Sequence, residues 1–284
     1  MRRLLVTGAR GQLGQDVCRQ ATARGLEVSA LDLPELDIAS QEAVRACLQA
    51  TRPEAILNCA AYNAVDRAET EFHQALAANA LGPRNLAVEA ERLGVPLMHL
   101  STDYVFDGRA TRPYTIADPP NPLGRYGLSK LRGELEVQAL ARRHYVVRLS
   151  WVFGAGNDNF ARKVLGWARG RASIQVVDDQ VACPAYTADL APALLELLGS
   201  GAFGLYHLAN QGHCSRHAWA AHIVGAAGLG VEVVPVSSRA FPTPAARPAF
   251  SALDTFPLDG ILGRPLPPWQ DATERFLREI GART

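Results

Sequence analysis

Tyr126-Gly-Leu-Ser-Lys130 sets a phenol and an ammonium one helical turn apart, on one helix face. A free phenol titrates near ~10 and exchanges protons poorly at neutral pH. A neighbouring ammonium favours the phenolate, which would turn Tyr126 into a usable general acid or base, and Lys130 can also hold a ribose hydroxyl. Tyr-x-x-x-Lys also arises by chance, on any amphipathic helix with a surface lysine. Against that reading, Lys130 and Lys163 are the only lysines among 29 basic residues, and arginine would solvate a surface equally well. Ser101-Thr102 follows an apolar run, at a strand end where open α/β sheets collect ligands. A hydroxyl there can hydrogen-bond a carbonyl or the Tyr126 oxygen. Alone, Thr102 reads as a strand-end turn; with Tyr126 and Lys130 it completes a candidate catalytic trio.

The second constellation binds rather than reacts. Gly8, Gly11 and Gly14 follow a short apolar run and precede a helical pattern. In Gly-x-x-Gly-x-x-Gly the first glycine allows a tight turn, the second lets a pyrophosphate approach the backbone, and the third lets helix and strand pack closely. Gln12 and Leu13 lie inside that turn. Asp32 ends the next apolar run, where a carboxylate accepts from adenosine ribose hydroxyls and repels a 2′-phosphate. Its other reading is an ordinary turn residue. No arginine follows it directly (Leu33, Pro34), so NADH is expected to be slightly preferred over NADPH. Asp37 and Ile38 are placed to flank the adenine.

These residues need a frame. Residues 3–7, 26–31, 54–57, 96–100 and 145–149 read as short buried strands, alternating with helical patterns at 12–24, 40–50, 67–92 and 124–143. Gly82-Pro83 is expected to break or kink the third of these helices. The alternation implies an α/β fold, a Rossmann-type doubly wound parallel sheet. Residues 1–155 form the expected dinucleotide-binding domain. Residues 156–284, with helices at 157–170, 187–199, 215–228 and 269–280, form a smaller C-terminal α/β substrate lobe whose chain has room to cross back to the sheet.

The 284 residues are 48% hydrophobic and 20% charged, which excludes disordered, collagen-like and coiled-coil readings. A net charge of +1 gives no long-range attraction to nucleic acid or an anionic membrane. No apolar stretch reads as a signal peptide or a membrane span. Five scattered cysteines without a CxxC pair read as reduced thiols of a cytoplasmic protein. His213, Cys214, His217 and His222 match no standard zinc spacing, and Ser215 reads as a helix N-cap, so no metal site is expected. Asp178-Asp179 reads as a solvated turn.

The chain resembles the extended short-chain dehydrogenase/reductase family, and within it the group of dTDP-4-dehydrorhamnose reductases. The resemblance rests on Thr7-Gly-Ala-Arg-Gly-Gln-Leu-Gly14, Asn58-Cys-Ala-Ala-Tyr-Asn-Ala-Val-Asp66, Ser101-Thr-Asp-Tyr-Val-Phe-Asp-Gly108 and Tyr126-Gly-Leu-Ser-Lys130. It continues through Arg148-Leu-Ser-Trp-Val-Phe-Gly154, Asn159-Phe160 and Arg247-Pro-Ala-Phe-Ser-Ala-Leu253. The glycine turn and the Tyr/Lys pair belong to the wide family; the Ser-Thr-Asp, Ser-Trp-Val and Arg-Pro segments are more specific to the reductases.

The resemblance implies NAD(P)H-dependent reduction of the C4 ketone of a dTDP-deoxysugar. Tyr126 would protonate the oxygen, Lys130 tune Tyr126 and hold the nicotinamide ribose, and Thr102 polarise the carbonyl. Thr102, Asp103 and Trp151 would meet the sugar, Ala60, Ala61 and Tyr62 the cofactor, and Arg247 the diphosphate. Without the family, Trp151 reads as a core aromatic and Arg247 as one more solvated arginine. Asp179-Gln-Val-Ala-Cys-Pro-Ala185 carries alanines where the group usually has glycine and threonine, and Asn63 replaces a usual threonine. Two rival functions share the motifs: a nucleotide-sugar epimerase or dehydratase that returns its hydride, and a non-catalytic regulator like the β subunit of methionine adenosyltransferase. Some relatives dimerise, and a homodimer remains open.

Overall fold

The computed structural model describes residues 1–282. Arg3–Thr7 (β1), Glu27–Leu31 (β2), Ala55–Asn58 (β3), Leu97–Thr102 (β4), His144–Leu149 (β5) and Gly204–Leu208 (β6) form one sheet. Its order is β6-β5-β4-β3-β1-β2, and every pairing is parallel. Parallel strands are covered on both faces, which is why β3 and β4 are buried along their whole length, polar Asn58, His99, Ser101 and Thr102 included. After β2 the chain returns to the other side of β1, so the carboxyl ends of β1 and β3 border the crevice where such sheets take ligands.

The principal helices are Gln12–Ala23 (α1), Gln41–Thr51 (α2), Gly82–Leu93 (α3), Arg125–Leu140 (α4), Phe160–Ala168 (α5), Thr187–Ser200 (α6), Arg216–Ala226 (α7) and Trp269–Glu279 (α8). α2, α3 and α4 pack together on one face of the sheet, and α1 and α6 on the other. Thus α6 and β6, although far along the chain, belong to the sheet layer. The remaining C-terminal elements build their own core around Phe153, Tyr186, Trp219 and Phe276, beside a parallel pair, Ser173–Val177 with Glu232–Val236. Ser215 caps α7 by accepting from the Ala218 N–H at 3.0 Å, as its type and position predicted.

The segment expected as one helix over 67–92 is built differently. Phe72–Leu76 is α-helical, Ala77–Leu81 is a π turn, and Gly82 opens α3. Gly82-Pro83 does not break the path, because Pro83 sits in a first turn where no hydrogen bond is lost. A side chain at Gly82 would come within 2.5 Å of the Ile38 Cδ1 atom. The wider π turn carries the buried Asn79, which ties two parts of the site together below.

α4 is unusual in what it buries. Tyr126, Lys130 and Glu134 follow one another at i, i+4 and i+8 on its inner face, with Ser129 beside them, and all four are buried. Each therefore needs a partner. Glu134 accepts from Arg148 of β5 at 2.9 and 2.7 Å and from the Ser101 hydroxyl of β4 at 2.5 Å. Small residues let the helix come this close: Cβ atoms at Gly127 and Gly133 would lie 2.2 Å from the Tyr104 carbonyl oxygen and 2.0 Å from that of Asn79. Arg148→Met strands the Glu134 carboxylate, and we expect a loss of about 3–5 kcal/mol in urea unfolding. An unfolding midpoint equal to the parent's would mean that this pair does not hold α4 to the sheet.

Candidate active site

A cleft of about 380 Å³ opens at the carboxyl edge of the sheet. One wall is the glycine turn: Gly8, Gly11, Gln12, Leu13 and Gly14 all line it. Gly8 has φ +66°, and a Cβ there would lie 2.4 Å from the Ala60 nitrogen, so only glycine fits. At Gly14 a Cβ would sit 2.2 Å from the Gly8 carbonyl oxygen, which fixes how closely α1 meets β1. The N-terminus of α1 has neither a side-chain cap nor an acidic residue in its first turn. Its amide groups and dipole therefore face the cleft without a carboxylate of their own, and these residues fit a pyrophosphate.

Asp32 lies outside the cleft lining, at the end of β2. Its carboxylate accepts from the Arg10 and Leu33 amides at 2.9 and 2.8 Å. An arginine does reach this corner, from the glycine turn rather than from the end of β2: Arg10 donates to the Leu33 carbonyl at 2.7 Å and pairs with Glu35. Ile38 is a core side chain, and Asp37 accepts from the Ala39 amide at 2.9 Å. Ala60 backs Gly8, while Ala61 lines the cleft. Tyr62 turns its hydroxyl to Glu71 at 2.5 Å.

Thr102, Tyr126 and Lys130 share the cleft with Asp103 and Trp151. Tyr126 does not behave as the Tyr-x-x-x-Lys spacing predicted. Burial pushes its phenol above the ordinary value, contact with the Thr102 hydroxyl opposes this, and the charges of Asp103 and Tyr104 add to it. Lys130 donates to the Leu100 carbonyl at 2.6 Å. Burial lowers the Lys130 ammonium to about 8. The phenol instead donates to Asn63 Oδ1 at 3.3 Å. Sequence reasoning noted Asn63 only as a mild replacement; its distance from Tyr126 along the chain hid the contact. Asn79 was missed altogether. Its amide accepts from the Tyr62 N–H at 2.8 Å and donates to Ser129 Oγ at 2.9 Å, joining the loop after β3 to α4.

Thr102 donates to Asp103 at 3.2 Å, and Asp103 also accepts from Ser251 at 2.6 Å. Burial raises the Asp103 carboxyl to about 6 although hydroxyls of Ser251, Thr102 and Ser150 oppose it. Trp151 has φ +38°, a left-handed conformation that a bulky residue rarely holds. The strain presents its ring to the cleft, stacked on Trp219 at 5.8 Å.

Beyond Trp151 lies a second, larger cavity of about 950 Å³. Asn159 caps α5 by accepting from the Arg162 amide at 3.2 Å, and α5 lines this cavity with Phe160, Lys163 and Trp167. Arg171, Arg216 and Arg247 complete its basic side. Arg247 is bound within the protein: it donates to both Asp66 oxygens at 3.0 and 2.9 Å and to the Ala245 carbonyl at 3.0 Å. The histidines stand apart, with His217 on the Val233 carbonyl at 2.9 Å and His222 on that of Gln270 at 3.3 Å.

The RmlD substrate binding domain profile matches residues 1–281. The chain belongs to that family. It is 41% identical over 280 residues to the dTDP-4-dehydrorhamnose reductase of Mycobacterium tuberculosis, across 95% of this chain and 90% of the relative. Similarity to the spore coat polysaccharide biosynthesis protein SpsK of Bacillus subtilis is 37% over 279 residues, 98% of each chain. The crystal structure of dTDP-4-dehydrorhamnose reductase from Bacillus anthracis in complex with NADP matches with TM-score 0.94 and 36% identity, over 98% of this chain and 100% of that one. The resemblance drawn from the motifs is thereby borne out.

The departures from the family pattern are absorbed locally. Ala182 pairs with Cys214 and Ala185 with Val152 in two short ladders, and both alanines are buried. The Ala185 amide donates to the Trp151 carbonyl at 3.3 Å, so the segment still supports that residue. No helix among the described residues is long and apolar enough to cross a membrane.

Lys130 allows a test that needs no substrate. An ammonium at about 8 in the folded protein, against an ordinary 10.5, binds fewer protons there than the unfolded chain does between those values. The burial penalty is thus complete below about pH 8 and disappears toward 10.5. Urea unfolding should favour Lys130→Met over the parent most strongly below pH 8, with the difference shrinking as pH rises. A difference independent of pH would show that the site does not penalise the charge.

Proposed function

We propose that the chain reduces the C4 ketone of dTDP-4-dehydro-L-rhamnose to dTDP-L-rhamnose with NADH or NADPH. The observation that carries this reading is a buried phenol in the cleft between the glycine cradle and Trp151. A reduced nicotinamide supplies the hydride. Reduction needs an acid to meet the developing alkoxide, and a phenol raised by burial stays in its acid form at neutral pH. An alkoxide is more basic than a phenolate, so the proton passes from Tyr126 Oη to the former ketone oxygen. Lys130 holds the nicotinamide ribose, Thr102 and Asp103 take the sugar hydroxyls, and Trp151 covers the ring. The larger cavity, with Phe160 and Trp167, takes the nucleotide.

The trio of Thr102, Tyr126 and Lys130 supports catalysis over a purely regulatory role. Relatives of 37–41% identity across nearly the whole chain, named as reductases, support reduction over epimerisation. Cofactor choice turns on one corner. Asp32 engages the ribose hydroxyls, and Arg10 offers a cation to a 2′-phosphate.

Tyr126→Phe removes one oxygen and leaves the ring packed. Turnover of the 4-keto sugar should fall by roughly 10²–10⁴-fold with cofactor affinity unchanged. Reduction at the parent rate would remove Tyr126 from the mechanism. In the parent, one NAD(P)H should disappear per sugar; cofactor that stays bound with no net consumption would favour an epimerase. Arg10→Ala should lower kcat/KM with NADPH by tenfold or more while sparing NADH. Equal losses with both cofactors would return Arg10 to a purely structural role.

A further inference from the structure

The linings of the two cavities meet at a residue that no motif singled out. Arg216 is the first residue of α7, and its guanidinium carbon lies 3.6 Å from the Trp151 ring centroid and 4.7 Å from that of Phe160. Trp151 lines the reactive cleft, whereas Phe160 and Arg216 line the larger cavity. Stacking against two rings fixes the guanidinium plane and leaves its N–H groups to donate from the edge. Among the described residues no carboxylate lies within ion-pairing distance of Arg216, and its side chain makes no hydrogen bond within the protein. Arg247, the arginine expected to clamp the diphosphate, is by contrast already committed to Asp66, Thr243 and Ala245. Lys163 and Arg171, the other cations of this wall, are exposed and neither stacks on Trp151 or Phe160, and Lys163 lies 3.6 Å from Asp158.

We propose that Arg216, rather than Arg247, is the direct ligand of the diphosphate of the nucleotide sugar. This rests on the reading of the two cavities as sugar and nucleotide halves of one substrate site. A sugar beside Trp151 and a base beside Phe160 and Trp167 leave the diphosphate at the junction between them. There a planar cation with unused donors matches two phosphates that present several oxygens at once. Arg247 acts one step back: its pair with Asp66 holds the segment that carries Ser251 against the loop after β3. The same ring contacts tie anion binding to Trp151, so Arg216 also sets how the sugar meets Tyr126.

Calorimetric titration of the parent, Arg216→Gln and Arg216→Lys with dTDP and with thymidine separates the contributions. UDP and GDP run alongside, so that an unforeseen base does not hide the effect. Fluorescence quenching by NADPH serves as the control for folding. Arg216→Gln should weaken the nucleoside diphosphate by about 10–100-fold and leave the nucleoside unchanged. Arg216→Lys, which keeps the charge without the fork, should recover part of the loss. Equal weakening of nucleoside and diphosphate would make Arg216 a packing residue for Trp151, and no weakening of either, or no binding of any diphosphate by the parent, would also overturn the proposal. A parent that binds the diphosphate through Arg216 and yet reduces no 4-keto sugar would defeat the proposed reaction and leave this assignment standing.

Discussion

Helix α4 presents its buried face to the sheet as a polar stripe, and the site depends on satisfying it. An ordinary packing helix buries aliphatic side chains that adapt to small shifts. Tyr126, Ser129, Lys130 and Glu134 instead fix the helix through directional contacts: Ser129 to Asn79, Lys130 to the Leu100 carbonyl, Glu134 to Arg148 and Ser101. Unpaired, each would carry the desolvation penalty of a buried polar or charged group. The register of α4 on β4 and β5 is thereby set, and with it the position of the phenol. Glu69 adds a constraint at the other end by accepting from the Arg125 amide at 2.8 Å, where a negative charge also suits the helix dipole.

The cofactor wall obeys the opposite rule. Its geometry comes from side chains that are missing, at Gly8 and Gly14, so that backbone approaches backbone and an uncapped helix terminus faces the cleft. A polar stripe and a glycine cradle at one sheet edge hold a proton donor and an anion site at a fixed separation. Both lean on the C-terminal half, through α6 beside α1 and β6 beside β5, and that half also supplies the larger cavity.

That second half closes the site through a few long-range ties. Ser251 reaches Asp103, Arg247 reaches Asp66, and the Ala185 amide reaches the carbonyl of the strained Trp151. The motifs that share no chemistry when read along the chain are therefore mutual supports. The Arg-Pro segment braces the loops after β3 and β4, and the loop with the alanine replacements braces Trp151. Strain at Trp151 persists because its ring is held by Trp219 and by Arg216.

Much of this was legible in the sequence, because its signals are local. Strand and helix periods, the glycine turn before α1, the Ser215 cap and the i,i+4 relation of Tyr126 to Lys130 follow from backbone geometry over a few residues. Glu134 was within reach too, one further step along the same helix face. What tertiary structure alone decided depends on burial and on contacts between distant segments. Whether the phenol sits high or low is set chiefly by desolvation, which spacing does not encode, and burial pushes it up. Which arginine keeps its donors is likewise a question of partners: Asp66 pairs with Arg247 at 2.9 Å, whereas Asp103 acts on Arg216 only from beyond ion-pair distance. Which residues share a helix face or a turn follows from their order in the chain; their charges, partners and strain were decided only when the chain closed on itself.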